Sequence, residues 1–115
     1  MKLEQISWSE PKQSWTMGPP GQLAESAQWV LLFGARSLLK NGARLKDLKQ
    51  IYRNAHFLGC STAGEICGKE VRDQTLVATA VHLEHSVVAG AKINIRDVSD
   101  SFQAGQKLAQ AFDTK

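Results

Sequence analysis

Trp29-Val30-Leu31-Leu32-Phe33-Gly34, an unbroken apolar run closed by glycine, and His56-Phe57-Leu58-Gly59-Cys60, a shorter one, decide the fold. The first reads as a strand buried on both faces, because a short apolar run without polar alternation suits the middle of an α/β sheet. Between the two, after a loop at Asn41-Gly42, the residues Leu45, Leu48, Ile51, Tyr52 and Ala55 recur at helical spacing. Lys46, Lys49 and Arg53 fall on the opposite side, so the helix is amphipathic. Strand, helix and strand over this length form a βαβ unit, and the two strands are predicted to run parallel.

Downstream, Thr75–Leu83 and Ser86–Arg96 are rich in β-formers and are separated only by Glu84-His85, which reads as a hairpin. Both alternating sets of the first run are mainly apolar, as in a central strand. In the second, Val87, Ala89, Ala91, Ile93 and Ile95 share one face against Lys92, Asn94 and Arg96. Ser99 and Asp100 then cap a helix whose Phe102, Leu108, Ala109 and Phe112 need burial. Upstream, all three prolines lie in the first twenty residues. There a short strand, Leu3–Trp8, gives way to an irregular segment and a helical turn at Leu23–Ala27, with Trp8 and Trp15 packing the arm down. The expected organisation is a Pro/Trp-rich arm over 1–28 and an α/β domain over 29–115. That domain has a small mixed β-sheet with a βαβ unit, a β-hairpin and flanking helices.

At 115 residues the chain suits one domain, and its 43% hydrophobic and 22% charged residues are those of a folded protein. The sequence has no run of about 18 apolar residues and no apolar stretch after Met1-Lys2. Neither a membrane partner nor a secretory signal is therefore expected. Two cysteines cannot staple a secreted scaffold, which favours a reducing cytoplasm. Arg36, Lys40, Arg44, Lys46, Lys49 and Arg53 cluster with Asp47 as the only acid among them. They read as a solvated helix face rather than a nucleic-acid patch.

The chemistry concentrates at Gly59-Cys60-Ser61-Thr62-Ala63-Gly64-Glu65, at the carboxyl end of the second strand, where open α/β sheets bind ligands. Two hydroxyls, a thiol and a carboxylate among small residues make a polar cradle. The competing reading is a self-contained turn in which Thr62 and Glu65 form a capping box. Enzymatic templates fail. Gly59 and Gly64 have P-loop spacing, but Glu65 stands where the lysine is required. Ala63 breaks a G-x-S-x-G elbow. Cys60 and His56 lie about 13 Å apart if extended, too far for a nucleophile and its base. Cys60 and Cys67 lack metal-finger spacing, and His82 and His85 straddle a strand end, so no metal site is expected.

Those eight residues, Gly59 through Ile66, resemble the hallmark of the FIST domain, a prokaryotic signal-transduction sensory domain. The resemblance extends to Val30-Leu31-Leu32-Phe33, Thr75-Leu76-Val77-Ala78 and Gly105-Gln106-Lys107-Leu108-Ala109. It implies a bacterial, cytoplasmic ligand sensor rather than an enzyme. Such a sensor works beside a histidine kinase, a cyclic-di-nucleotide enzyme or a chemotaxis receptor, and small molecules such as amino acids are its implied ligands. Gly59, Cys60, Ser61, Thr62, Ala63, Gly64 and Glu65 would form the ligand site. No cofactor is specified. An alternative implied by the resemblance is a haem-dependent nitric-oxide sensor, with His82 as axial ligand ahead of His56 and His85. A further alternative is a structural or assembly fragment without ligand. The chain is expected to hold only the N-terminal part of such a sensor and to self-associate as a homodimer across an unfinished sheet edge or the apolar helix face. Against this stands an arm that folds back and closes the edge within one chain.

Overall fold

The computed structural model describes residues 1–16 and 21–112. Along the chain run β1 (Lys2–Ser9), β2 (Ser14–Thr16), β3 (Trp29–Ala35), α1 (Arg36–Asn41), α2 (Ala43–Ile51) and β4 (His56–Thr62). They are followed by β5 (Glu65–Cys67), β6 (Glu70–Arg72), β7 (Thr75–His82), a 3₁₀ turn (Ile95–Asp97) and α3 (Ser101–Ala111). Five strands form one mixed sheet in the order β2-β1-β7-β3-β4, and β5 and β6 form a separate hairpin. The βαβ expectation holds: β3 and β4 are parallel, with Trp29 opposite His56 and Phe33 opposite Cys60. β7 sits at the centre, antiparallel to both β1 and β3.

Helices cover one face of this sheet. Ile6 and Trp8 of β1, Val30 and Leu32 of β3, and Leu76, Ala78 and Ala80 of β7 share one buried cluster with Leu38, Leu48 and Tyr52. The strand pleat sends alternate residues to the other face, and this corrects the expectation for β3. Val30, Leu32 and Gly34 are buried, but Phe33 keeps 40% of its surface exposed, and Leu58 of β4 keeps 62%. β3 is therefore buried on one face only.

Four further expectations change. Ser86–Arg96 is not the second arm of a hairpin with β7: residues 86–94 have no regular structure. The reason is topological: both edges of β7 are already taken by β1 and β3, so the segment cannot pair with it. The hairpin that does form is β5–β6, with Ile66 opposite Val71. The Asn41-Gly42 loop is instead the junction of two helices. Gly42 adopts φ 76° as the left-handed cap of α1, and its N–H meets the Leu38 carbonyl at 3.4 Å. The helix predicted to include Ala55 stops at Ile51. Finally, α3 has its cap, Asp100 accepting from the Gln103 N–H at 2.8 Å, yet Phe102 is 75% exposed rather than buried.

The N-terminal residues pack as strands of the sheet. Trp8 and Trp15 lie opposite each other on β1 and β2 and meet edge to face at 5.5 Å, with the Arg44 guanidinium 4.2 Å from the Trp8 ring. The predicted turn at Leu23–Ala27 is present, closed by Ala27 N–H donating to Leu23 O at 2.9 Å. What fixes it is Glu4, a buried carboxylate on the helix-covered face of β1. Its Oε1 accepts from the N–H groups of Gly21 (2.8 Å) and Gln22 (3.0 Å). Its Oε2 accepts from the N–H of Leu23 (3.0 Å) and from the Tyr52 hydroxyl (2.8 Å).

Burial first, and then the adjacent Glu4 carboxylate, push the Tyr52 phenol well above its ordinary range. A group that holds its proton more tightly when folded contributes stability below its unfolded pKa, and that contribution is lost as pH rises through the folded one. Stability of the wild type should therefore fall above pH about 10, where a free tyrosine titrates. Tyr52→Phe should lack that component while losing about 1–1.5 kcal/mol at neutral pH. Glu4→Ala, which strands several buried donors, should cost about 3 kcal/mol. Urea unfolding of the three proteins across pH checks all of these.

Candidate functional site

The Gly59–Glu65 segment is mostly strand: Gly59 to Thr62 end β4, Ala63 and Gly64 make the bend, and Glu65 opens β5. Glu65 is 1% exposed and has both carboxylate oxygens occupied. Oε1 accepts from the Thr62 hydroxyl at 2.7 Å. Oε2 accepts from the Thr75 hydroxyl at 2.7 Å and from the Thr75 N–H at 3.3 Å. The Thr62–Glu65 pair expected of a capping box thus forms, but it caps no helix. It joins the end of β4 to the start of the central strand β7.

Beside this latch, on the sheet face that the helices leave open, lies a groove of about 350 Å³. Thr62, Gly64, Glu65 and Ile66 form one wall, and Gln5, Phe33, Val77 and Thr79 of the sheet form the floor. Gln5 braces it: its Nε2 donates to the Thr79 hydroxyl at 3.1 Å, and its Oε1 accepts from the Gly68 N–H at 3.1 Å. The β5–β6 hairpin is thereby held over the sheet. The groove falls within the size range of small-molecule sites and combines apolar surface with a few convergent polar groups.

The predicted residues divide between places. Thr62, Gly64 and Glu65 line this groove. Gly59 and Cys60 line another, of about 260 Å³, between α2 and β4. Ser61 and Ala63 are exposed. Gly59 approaches backbone rather than a ligand: a Cβ there would meet the Leu32 carbonyl oxygen at 1.8 Å. The histidines are dispersed. His56 lines a larger apolar groove of about 510 Å³, with Trp29, Leu58 and residues 87–91, at the opposite end of β4 from the latch. His82 pairs through Nδ1 with the Ser26 carbonyl at 2.7 Å, and His85 is exposed. Among the described residues no three metal-ligating side chains gather.

Sequence reasoning missed Gln5, Phe33, Val77 and Thr79, because the strands that carry them are far from the motif in sequence. Gln5 left no trace of its own, because the Leu3–Trp8 run also holds the polar Glu4 and Ser7.

The FIST N domain family model matches residues 28–115, more than half of the chain. The chain belongs to the FIST N domain family. The family is one of signal-transduction sensory domains and not a catalytic family. No curated protein and no solved structure matches it. Within this FIST N domain the matched span carries β3 to β7, both glycines of the motif and the whole latch. β1 and β2 precede it, so Gln5 and the Glu4 anchor lie outside the matched region. No helix of the described residues is long and apolar enough to cross a membrane.

The two motif glycines should respond differently to a methyl group. Gly59→Ala must push β4 away from β3 and should destabilise by about 2–4 kcal/mol. At Gly64 the added carbon would sit 3.4 Å from a Val71 methyl, an ordinary contact, so Gly64→Ala should cost under about 1 kcal/mol. Thermal melts of the two variants compare them directly, and equal losses would contradict the geometry.

Proposed function

We propose that this FIST N domain is a cytoplasmic sensory module of bacterial signal transduction whose small ligand seats in the groove beside the Thr62–Glu65–Thr75 latch. The observation that carries the reading is the buried carboxylate of Glu65, bridging two strands at the wall of a ligand-sized groove. A ligand with an apolar body fits against Phe33, Val77 and Ile66, and its polar end meets Thr62 and Glu65. A cationic or hydrogen-bond-donating group there competes with the Thr62 hydroxyl for Oε1. Exchange of one donor for another shifts the position of the β4–β5 bend, and a ligand that favours one position shifts the populations of the two. A histidine kinase or cyclic-di-nucleotide enzyme is the class of partner that would read the shift. The proposal assigns no nucleophilic role to Cys60, which lines a different groove from the imidazole of His56.

Thermal shift against a panel of amino acids and related zwitterions tests the site. A binding panel member should raise the melting temperature of the wild type. Thr62→Val, which removes the competing hydroxyl and keeps the Thr75 bonds, should enlarge that rise, and Ile66→Lys, at an exposed wall residue, should abolish it. His56→Ala, in the other groove, should preserve it. A response unchanged in the first two variants overturns the assignment.

We further propose that the chain forms a homodimer along β4. β1 and β2 cover one side of β7, but β4 has a ladder partner only in β3. Its seven residues, His56–Thr62, include no proline, lysine or carboxylate, the residues that native edges use to refuse pairing. Sedimentation equilibrium at micromolar concentration should give twice the 12.6 kDa chain mass, and Leu58→Lys should return it to one. A wild type of single-chain mass refutes the dimer.

A further inference from the structure

The helical layer carries a charge imbalance that neither the groove nor the core uses. Residues 36–53 hold six basic side chains and one acid, a net charge of +5, whereas the whole chain is +3 and the remainder is therefore −2. Packing sorts the six. Arg44 is half-buried, stacked on Trp8 and paired with Asp47 at 3.0 Å. Arg36, Lys40, Lys46, Lys49 and Arg53 are exposed, and no ion pair forms with any of them among the described residues. Leu38 and Leu48 anchor α1 and α2 to the sheet, while Lys49 lies on the flank of α2 beside β4 and Arg53 follows the end of that helix.

Their spacing builds ridges. Arg36 and Lys40 are four apart and Lys46 and Lys49 three apart, the separations that place side chains together on one helix flank, and Arg53 stands just past the end of α2. Like charges at such spacing repel, and a helix face serving only as a solvated surface relieves this by interleaving acids. This one does not.

We infer that the outer face of α1 and α2 is a docking surface for an acidic patch on a partner protein. Charge complementarity selects an anionic occupant. The leucines and isoleucine of the two helices are buried or half-buried, so the face has no large apolar side chain to insert into a lipid surface. Its aromatic neighbours among the described residues, Trp8 and Tyr52, are buried, Trp8 beneath Arg44 and Tyr52 against Glu4, and neither ring is free for a nucleic-acid base to stack on. An acidic protein surface needs neither. The position also suits a reader of the module, since α2 leads through residues 52–55 directly into β4. The docking surface stands apart from the ligand groove and does not depend on it.

The test uses poly-L-glutamate as the probe on the whole chain, with duplex DNA and phosphatidylglycerol vesicles as rival probes. Poly-L-glutamate should bind with an affinity that falls steeply with salt, and more tightly than either rival. The triple variant Lys46→Glu/Lys49→Glu/Arg53→Glu should weaken it about tenfold or more. The control Lys12→Glu/Lys92→Glu, which alters exposed lysines elsewhere, should change it less than about twofold. Should the triple variant fail to fold by circular dichroism, the neutral pair Lys46→Gln/Lys49→Gln replaces it, with the same direction expected. Absence of poly-L-glutamate binding, equal loss in the control, or tighter binding of DNA or vesicles overturns the inference.

Discussion

The Glu4 carboxylate ties together three pieces of chain that also meet in the core, where Ile6, Leu23 and Tyr52 pack in one cluster. Its hydrogen bonds run from β1 to residues 21–23 and to Tyr52 at the end of α2. A buried carboxylate is tolerated only when its lone pairs are filled, and here three backbone N–H groups and one hydroxyl fill them. The consequence is architectural. β1 can pair with β7 over eight residues only if the returning chain crosses the helical side and enters β3 in register, and the Glu4 bonds hold that return. The helices then lie on the same side as the return, and the core closes between them and one face of the sheet.

From this follows the exposure of the other face. Leu3, Phe33 and Leu58 remain open there, and among the described residues the β5–β6 hairpin bonded to Gln5 lies across part of it. A sheet packed on one side usually shows polar residues on the other. The apolar character of this face is therefore a departure from the common pattern, and it gives the groove beside the latch its floor. The features that made β3 look like a doubly buried strand are those that now line a candidate ligand site.

This explains what was legible in the sequence. The parallel β3–β4 pair, the central position of β7 and the Asp100 cap each depend on local pattern, and each is present. The Ser86–Arg96 run has an equally good local pattern but no vacant edge beside β7, and edge occupancy is a property of the whole sheet. The motif was legible as a site of unusual composition, and the Thr62–Glu65 pair follows from its three-residue spacing. Thr75, ten residues on, and Gln5, from a strand before the family match, could not be found that way. Their places are set by the register of β7 with β1, in which Gln5 falls opposite Thr79 and Ser9 opposite Thr75.

The two buried glutamates make an instructive pair. Glu4 is bound mainly by backbone N–H groups, which cannot turn away without undoing the turn at residues 21–23. Glu65 is bound mainly by the hydroxyls of Thr62 and Thr75, which rotate about a single side-chain bond. Replacing a hydroxyl donor with a ligand donor exchanges one hydrogen bond for another, with a net change on the order of 1 kcal/mol. Stripping Glu4 of its partners would instead strand a buried charge, at about 3–5 kcal/mol. The same side chain is thus a fixed anchor in β1 and, in the function proposed above, an exchangeable one at β5. The proposed sensory role is assigned to the second, because a hydroxyl donor can be exchanged at a cost far below that of unfolding the turn at residues 21–23.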